Sequence, residues 1–567
     1  MVTPVKKEKI KIGLMLEDWM ISAWSHKMIE NIIKSDYAKI SLVVLGNKKV
    51  HFHESTFIVK LKESIYNKIS FGLKNILMSI EQNLIDRDIR FLDADRHIDS
   101  SGMLTDFPVL AVQADMVGSS SYFIEADIQA IRDYDVDVLI RLGFGVLRGD
   151  ILNAAKHGVW SFHHGDNRTN RGGPAGFWES MESSSQVGSV LQILTEDLGN
   201  GKVLYRSYSC TDNMSIRKNN SNNYWKSLSF MTRKLKELYI LGDDAFLKKV
   251  ESENSLPVLY SEPHYIEPSN LKRALLLLIK IGEKSKKMYM DNMYIDQWII
   301  MFHLCPNFSS SLWRYKKIFP PKDRFWADPH VIFRDGKYYI FIEEFKFDKG
   351  KGRIAMFVLD EAGNYGESRV ILEKSYHLSY PFVFEYQNDI YMVPESEENQ
   401  TVELYKCTEF PDKWEFQNNL LEGVNAVDST LYFHENKWWM FTNIRENEGA
   451  STWDELYLFY SDDLFSNNWK SHPLNPVVSD CKTSRPAGEI FVMDGRIFRP
   501  SQNSSNRYGY GFNINEITKL DEKQFSEELV SSVKPNWDKD IIGTHTFNRV
   551  KDLHLIDALC KFSRFHL

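Results

Sequence analysis

Arg324–Phe345 reads RFWADPHVIFRDGKYYIFIEEF, and it decides the fold of the later half of the chain. An acidic residue precedes an apolar run, a tight turn follows, and an apolar-aromatic run returns. Val331–Phe333 and Tyr338–Ile342 are β-branched and aromatic, and Asp335-Gly336 between them is a strong hairpin signal. The pattern recurs. Phe382–Val393 turns at Gln387-Asn388-Asp389, Thr430–Thr442 at His434–Lys437, Glu489–Arg499 at Asp494-Gly495, and Phe547–Ile556 at Lys551-Asp552. Hairpins recurring roughly every 45–60 residues predict a β-propeller. The five hairpins predict five blades, over residues 311–567.

A chain of 567 residues is too long for one core, so the part before the repeats is a separate domain. Aromatic residues make up 13% of the chain and concentrate in the repeat half, where they suit blade packing and sugar stacking. The net charge of −8, with no long basic run, argues against nucleic acid as a partner. Five cysteines without paired spacing predict reduced thiols and no zinc or other metal site. No apolar run approaches the ~20 residues of a membrane span. Glu17 and Asp18 interrupt the apolar part of the N-terminus, which reads as a buried strand and not a leader, so a cytoplasmic protein is expected. The stretch LKRALLLLIKIGEKSKK from Leu271 reads as a packed linker helix or as a peripheral membrane contact.

Residues 9–212 read as a mostly parallel α/β sheet covered on both faces. Strands are expected at Lys9–Leu16, Ile40–Leu45, Val138–Arg141 and Val159–His163; helices at Ser22–Lys34, Asn67–Ile89, Glu125–Tyr134 and Gly149–Lys156. Residues 213–310 read as a helical bridge, with helices at Tyr224–Tyr239, Asp243–Ser252 and Leu271–Met290 and a strand at Trp298–Leu304. Ligands of such sheets sit beyond the strands' carboxyl ends, which directs attention to His163–Glu179, HHGDNRTNRGGPAGFWE. His163 or His164 suits acid–base work near neutrality. His164, Asp166, Asn167 and Arg171 are substrate-binding candidates, and the glycines let backbone approach a ligand.

Val138–Tyr205 resembles the formyltransferase family. Trp160-Ser161-Phe162-His163 stands at its Asn-x-His motif, Arg171-Gly172-Gly173-Pro174 at its Arg-Gly/Pro loop, Leu198-Gly199-Asn200-Gly201 at its Asp-Thr-Gly segment, and Val203-Leu204-Tyr205 at the strand after it. The resemblance implies a Rossmann-like formyltransferase fold, 10-formyltetrahydrofolate as cofactor, and His163 as a catalytic residue. Ser161 and Gly199 stand where the family has its catalytic Asn and Asp, with Glu196, Asp197 or Asp166 as substitute carboxylates. Retained formyl transfer, altered chemistry and a non-catalytic role all remain open.

In the repeats, Asp328, Asp428 and Glu489 stand near the start of the inner strands of blades one, three and four, and so are expected to face one funnel. A carboxyl pair is the minimum for cleaving or transferring a glycosidic bond. Their spacing resembles the five-bladed furanosidase-type glycoside hydrolases. Trp313–Ala558 more closely resembles the propeller domain at the N-terminus of plant glucosamine inositolphosphorylceramide transferases. The likeness rests on Phe325-Trp326-Ala327-Asp328-Pro329, His377-Leu378-Ser379-Tyr380-Pro381, Pro394-Glu395, Val427-Asp428-Ser429-Thr430, Arg485-Pro486-Ala487-Gly488, Arg499-Pro500-Ser501-Gln502, Tyr508-Gly509 and Thr544-His545-Thr546. It implies substrate contacts at His377, Glu395, Arg485, Arg499 and His545, of which Arg485, Arg499 and His545 suit an anionic sugar or phosphate.

The expectation is a carbohydrate-active transferase that builds or modifies a surface polysaccharide or glycolipid precursor by glycosyl or acyl-type transfer. Its substrates would be a sugar nucleotide, an oligosaccharide or a glycolipid. The alternatives are a folate-dependent N-formyltransferase acting on an amino-sugar nucleotide and a non-catalytic glycan-binding scaffold.

Overall fold

The computed structural model describes residues 7–46, 72–81, 83–85, 91–117, 120–170, 172–197, 201–262, 265–306 and 311–564. The chain forms two compact units. The first comprises Met1–Ser207, Thr211–Lys284 and Asn447–Ala450; the second comprises Tyr208–Cys210, Ser285–Glu446 and Ser451–Leu567.

The first unit is α/β. Its seven-stranded sheet runs in the order Lys202–Cys210, Gln186–Ile193, Val159–His163, Val138–Arg141, Ile10–Leu16, Ala38–Gly46, Val109–Val112. Ile10–Leu16 pairs in parallel with both its neighbours, while Gln186–Ile193 runs antiparallel to Val159–His163. Side chains alternate across a strand, so Ile12, Leu14 and Leu16 enter one apolar core and Met15 the other. Helix Ala23–Lys34 covers the first face with Trp24, Met28, Ile29 and Ile32; Glu125–Arg132 covers the second with Ile128 and Ile131.

Helix Ile216–Leu241 packs Trp225, Leu228, Phe230, Met231, Leu235 and Leu238 into the first core. It starts at Ser215, whose hydroxyl accepts from the Lys218 N–H at 3.1 Å, and ends at Gly242 with φ of 80°. The segment read as a bridge is therefore divided, through Lys284 with the first unit and from Ser285 with the second. Of the helix expected at Asn67–Ile89, 72–81 are helical, while 67–71, 82 and 86–89 lie outside the described residues. Gly149–Asn153 forms a 3₁₀ turn in place of the expected longer helix. Helix Asn270–Met293 buries Leu277 but exposes Leu271, Leu275 and Leu278. No helix among the described residues is long and apolar enough to cross a membrane.

The second unit is β-rich and propeller-like, built from repeated antiparallel sheets of four or five strands. Three of its hairpins are Arg324–Arg334 with Lys337–Lys346, Ser379–Tyr386 with Asp389–Ser396, and Ala426–His434 with Lys437–Ile444. The next sheet carries Phe491–Met493 and Arg496–Asn503. The last joins Phe547–Val550 and Leu553–Ser563 to Tyr294–Leu304, which pairs along its whole length from Tyr294↔Ser563 to Leu304↔Leu553. The strand expected at the end of the bridge thus completes the sheet of the final hairpin.

The inner strands begin alike. Asp328, Tyr380 and Asp428 have φ of 51°, 41° and 50°, each at a break in pairing register, and Gly488 has φ of 137°. The left-handed region is uncommon for Asp and strained for Tyr. At Gly488 a Cβ would lie 2.0 Å from the Phe547 carbonyl oxygen, so only glycine fits. Hydrogen bonds link these strands around one axis. The Tyr380 N–H donates to Asp328 Oδ2 (3.3 Å), the Tyr380 hydroxyl meets Thr430 Oγ1 (2.8 Å) and accepts from the Gly488 N–H (2.7 Å). Asn548 accepts from the Glu489 N–H (2.8 Å) and donates to the Pro329 carbonyl (2.6 Å).

Candidate functional site

At this axis the second unit holds a cavity of about 210 Å³, lined by Asp328, Glu343, Glu395, Arg485, His377 and His545 with the rings of Trp298, Phe325, Phe345 and Tyr508. Each return strand contributes a polar residue opposite the start of its inner strand: Glu343 opposite Ala327, Glu395 opposite Ser379, Asn443 opposite Val427. Asp557 does the same in the last sheet, accepting the His545 and Thr546 N–H groups at 2.7 and 3.1 Å. Gly509 leaves room for Trp298, whose ring a Cβ there would meet at 2.7 Å. Trp298 in turn lies 4.2 Å from the His545 ring, centroid to centroid.

The groups are sorted by charge. Arg485 is buried and grips Asp428 through two donors, while Gln502 donates to the same carboxylate at 2.6 Å. The Arg485 guanidinium also reaches Glu395 Oε2 at 3.4 Å and lies 5.1 Å from the Tyr508 ring centre. His545 stands between two aspartates, its Nε2 3.3 Å from Asp328 and its Nδ1 2.7 Å from Asp557. Burial opposes charge on His545, but Asp557 and Asp328 together hold its pKa above the usual value. Burial also pushes the Asp328 carboxyl up to about 6, with the negative Asp428 and Asp557 adding to the effect against His545. Glu343 and Glu395 are pushed well above the ordinary range, first by burial and then by neighbouring carboxylates. Asp557 stays below its usual value because His545 and two backbone donors outweigh burial.

Asp328, His545 and Asp557 form the one group of three such side chains placed to share a metal ion among the described residues. This group runs against the expectation of no metal site, and in it the two aspartates favour the protonated imidazole, the form that a metal ion would have to displace.

The sequence candidates separate here. Asp328, His377, Glu395, Arg485 and His545 line the cavity, and Asp428 is tied to it through Arg485. Glu489 does not line it. The equivalent of Asp328 and Asp428 in the fourth repeat is Gly488, so Glu489 stands one residue beyond the position that faces the cavity. Half-buried and apart from the other acids, the Glu489 carboxyl is pushed up to about 7 by desolvation alone. Arg499 is also elsewhere, held by Glu527 at 2.6 and 2.8 Å and by the Thr483 and Ser484 carbonyls. Glu343, Asp557, Tyr508 and Trp298 were missed. The signal for the acids was present, since the return strands FIEEF, MVPES and LIDAL each carry one carboxylate at this level.

In the first unit His163 ends its strand and lines a cavity of about 150 Å³ with Arg141, Gln192, Thr195 and Asp197. Its Nε2 meets the Asn170 carbonyl at 2.7 Å, so Nε2 carries the proton and Nδ1 the lone pair; burial keeps the ring neutral. Ser161 lies beside it, accepting from Arg141 Nε at 2.9 Å and donating to its own strand at Phe162 O (3.3 Å). His164 does not join this group. It packs between Tyr224, Trp24 and Phe162, and burial lowers its pKa to about 3. Asp166 is paired with Arg206 and Arg168. Asn167 and Arg168 line a neighbouring cavity of about 860 Å³ that shares Asp197 and Gly201 with the first. Arg171 and Gly199 lie outside the described residues.

Residues 316–560 match the family described as glucosamine inositolphosphorylceramide transferase 1, N-terminal. Glucosamine inositolphosphorylceramide transferase 1 of Oryza sativa subsp. japonica is 31% identical over 210 residues, 36% of this chain. That of Arabidopsis thaliana is 30% identical over 234 residues, 41% of this chain. The match spans 28% and 30% of the length of these relatives. A family 117 glycoside hydrolase from Zobellia galactanivorans aligns with 47% of this chain and 90% of its own, at 14% identity and a TM-score of 0.31. The C-terminal region of the chain thus resembles the N-terminal region of these transferases.

Proposed function

We propose that the chain is a carbohydrate-active transferase acting on a surface polysaccharide or glycolipid precursor, and that its second unit is a five-bladed propeller whose axial cavity holds one sugar. The observation that carries this reading is the sorting of acids at that cavity. Asp328, near 6, is largely ionised at neutral pH, while burial and neighbouring carboxylates push Glu343 and Glu395 well above the ordinary range and so toward the acid form. Glycosyl transfer needs one ionised carboxylate to take the proton of the attacking hydroxyl, and one carboxylic acid to protonate the departing oxygen. Asp328 supplies the first and Glu343 or Glu395 the second, while Trp298, Phe325 and Phe345 offer faces on which a sugar ring stacks. The resemblance to proteins named as glucosamine inositolphosphorylceramide transferases supports a sugar substrate.

Charge defines the sugar further. Arg485 and His545, the basic groups among the acids at the cavity, are already paired with Asp428, Asp328 and Asp557. A neutral or amino sugar fits better than the anionic sugar or phosphate expected from the sequence. Incubation with sugar-nucleotide donors and glycolipid acceptors, followed by mass spectrometry, tests the reading. Product formation abolished by Asp328→Asn supports it; product unchanged by both Asp328→Asn and Glu343→Gln overturns it and favours a glycan-binding scaffold.

Folate-dependent formyl transfer in the first unit is the weaker reading. The Ser161 hydroxyl donates to its own strand and accepts from Arg141, so it does not replace the amide donor of the formyltransferase motif. Calorimetric titration with 5-formyltetrahydrofolate decides it: saturable binding removed by His163→Ala would restore this reading. Residence in the cytoplasm, with helix Asn270–Met293 touching a membrane surface, belongs to the same proposal and is tested by fractionation of cells expressing the protein.

A further inference from the structure

Arg141 ends strand Val138–Arg141, next to the strand that ends in His163, and both residues line the cavity of about 150 Å³. Its guanidinium donates from Nε to Ser161 Oγ at 2.9 Å and from Nη1 to the Gly145 carbonyl. Neither acceptor is charged, and no carboxylate among the described residues pairs with Arg141. Asp197 shares the cavity wall without pairing with it. Glu17, the acid whose field reaches it, accepts the Phe144 N–H at 2.6 Å. Arg141 is half-buried at the cavity wall, and an arginine drawn partly out of water normally has a carboxylate or an anionic ligand opposite. Here the guanidinium lines a cavity whose wall also includes His163, kept neutral by burial.

We propose that this cavity is an oxyanion site, in which a carboxylate or phosphate group of a first-unit ligand is held by the free donors of Arg141 beside His163. Two hydrogen bonds already fix the guanidinium plane, so little side-chain freedom is lost on binding. The cavity suits one such group, and the rest of the ligand extends into the adjoining cavity of about 860 Å³. Replacement of Ser161 by the amide of the formyltransferase motif would remove the hydroxyl that orients Arg141, so the departure at Ser161 and the presence of Arg141 have one explanation.

The test titrates the full chain with inorganic phosphate and, separately, with formate at low ionic strength, by calorimetry and by thermal unfolding. Saturable binding of at least one probe, with a raised Tm, is expected. Arg141→Gln should weaken it about tenfold or more while leaving the circular dichroism spectrum unchanged, and Arg141→Lys should fall between the two. The stronger probe identifies the group as carboxylate or phosphate. Wild-type protein that binds neither probe overturns the proposal without recourse to a variant. So does binding that Arg141→Gln leaves unchanged. A loss of Tm in Arg141→Gln with no anion response in either protein would show that Arg141 only braces Ser161 and Gly145.

Discussion

At the scale of single residues, the candidate site depends on backbone positions more than on side-chain identity. Gly488 stands where Asp328 and Asp428 stand in their own sheets, and with φ of 137° and the Phe547 oxygen 2.0 Å from a would-be Cβ it tolerates no side chain. Gly488→Ala is expected to cost about 3 kcal/mol or more, read as a lower denaturation midpoint of the second unit. Glu489, one residue on, is half-buried, and its carboxyl is desolvated. Its carboxyl is raised from 4.5 to about 7, so the folded state holds a proton that the unfolded state releases first. Its contribution to stability is present below 4.5 and is lost as pH rises through 7. Glu489→Gln should therefore leave stability near pH 4 unchanged and raise it above pH 7 by on the order of 2 kcal/mol. Urea midpoints at the two pH values check this, and equal midpoints in both proteins would contradict it.

At the scale of elements, what was legible in the sequence was local. The hairpin around Asp335-Gly336 could be read because turn and strands lie within 22 residues of one another. Likewise Ile10–Leu16 and Val159–His163 announce themselves as short apolar runs bounded by polar loops. Tyr294–Leu304 could be read as a strand but not assigned, because its partner Leu553–Ser563 lies at the other end of the unit. The same limit hid Asp557, whose meaning depends on His545 and on Asp328 more than two hundred residues away. It also let Glu489 pass as a funnel acid, since a one-residue offset is invisible without the pairing register. These pairings predict how fragments behave. A fragment of residues 311–567, the boundary read from the sequence, should fail to fold cooperatively. It lacks Ile299, Ile300, Met301 and Phe302, all buried against the last sheet. A fragment of 285–567 should fold, and equal unfolding cooperativity of the two would contradict the assignment.

At the scale of the whole molecule, the second unit gathers acids around one cavity, and among the described residues Arg485 and His545 there are both paired with carboxylates. Protein of this charge design should prefer a sugar carrying an ammonium group, and the preference should grow as Asp328 ionises. Glucosamine affinity is expected to rise several-fold between about pH 5 and pH 7, across the Asp328 pKa near 6, while galactose affinity stays level. A flat glucosamine profile would mean that Asp328 does not face the ligand. The most direct measurement is saturation-transfer NMR of the full chain with glucosamine, galactose, arabinose and glucuronic acid. It would be made on the wild type, Asp328→Asn, Glu343→Gln and Glu489→Gln. The account predicts transfer to glucosamine or a neutral sugar, less to glucuronic acid, loss of signal in Asp328→Asn and Glu343→Gln, and no change in Glu489→Gln. Strongest transfer to glucuronic acid, or loss of binding in Glu489→Gln alone, would contradict it.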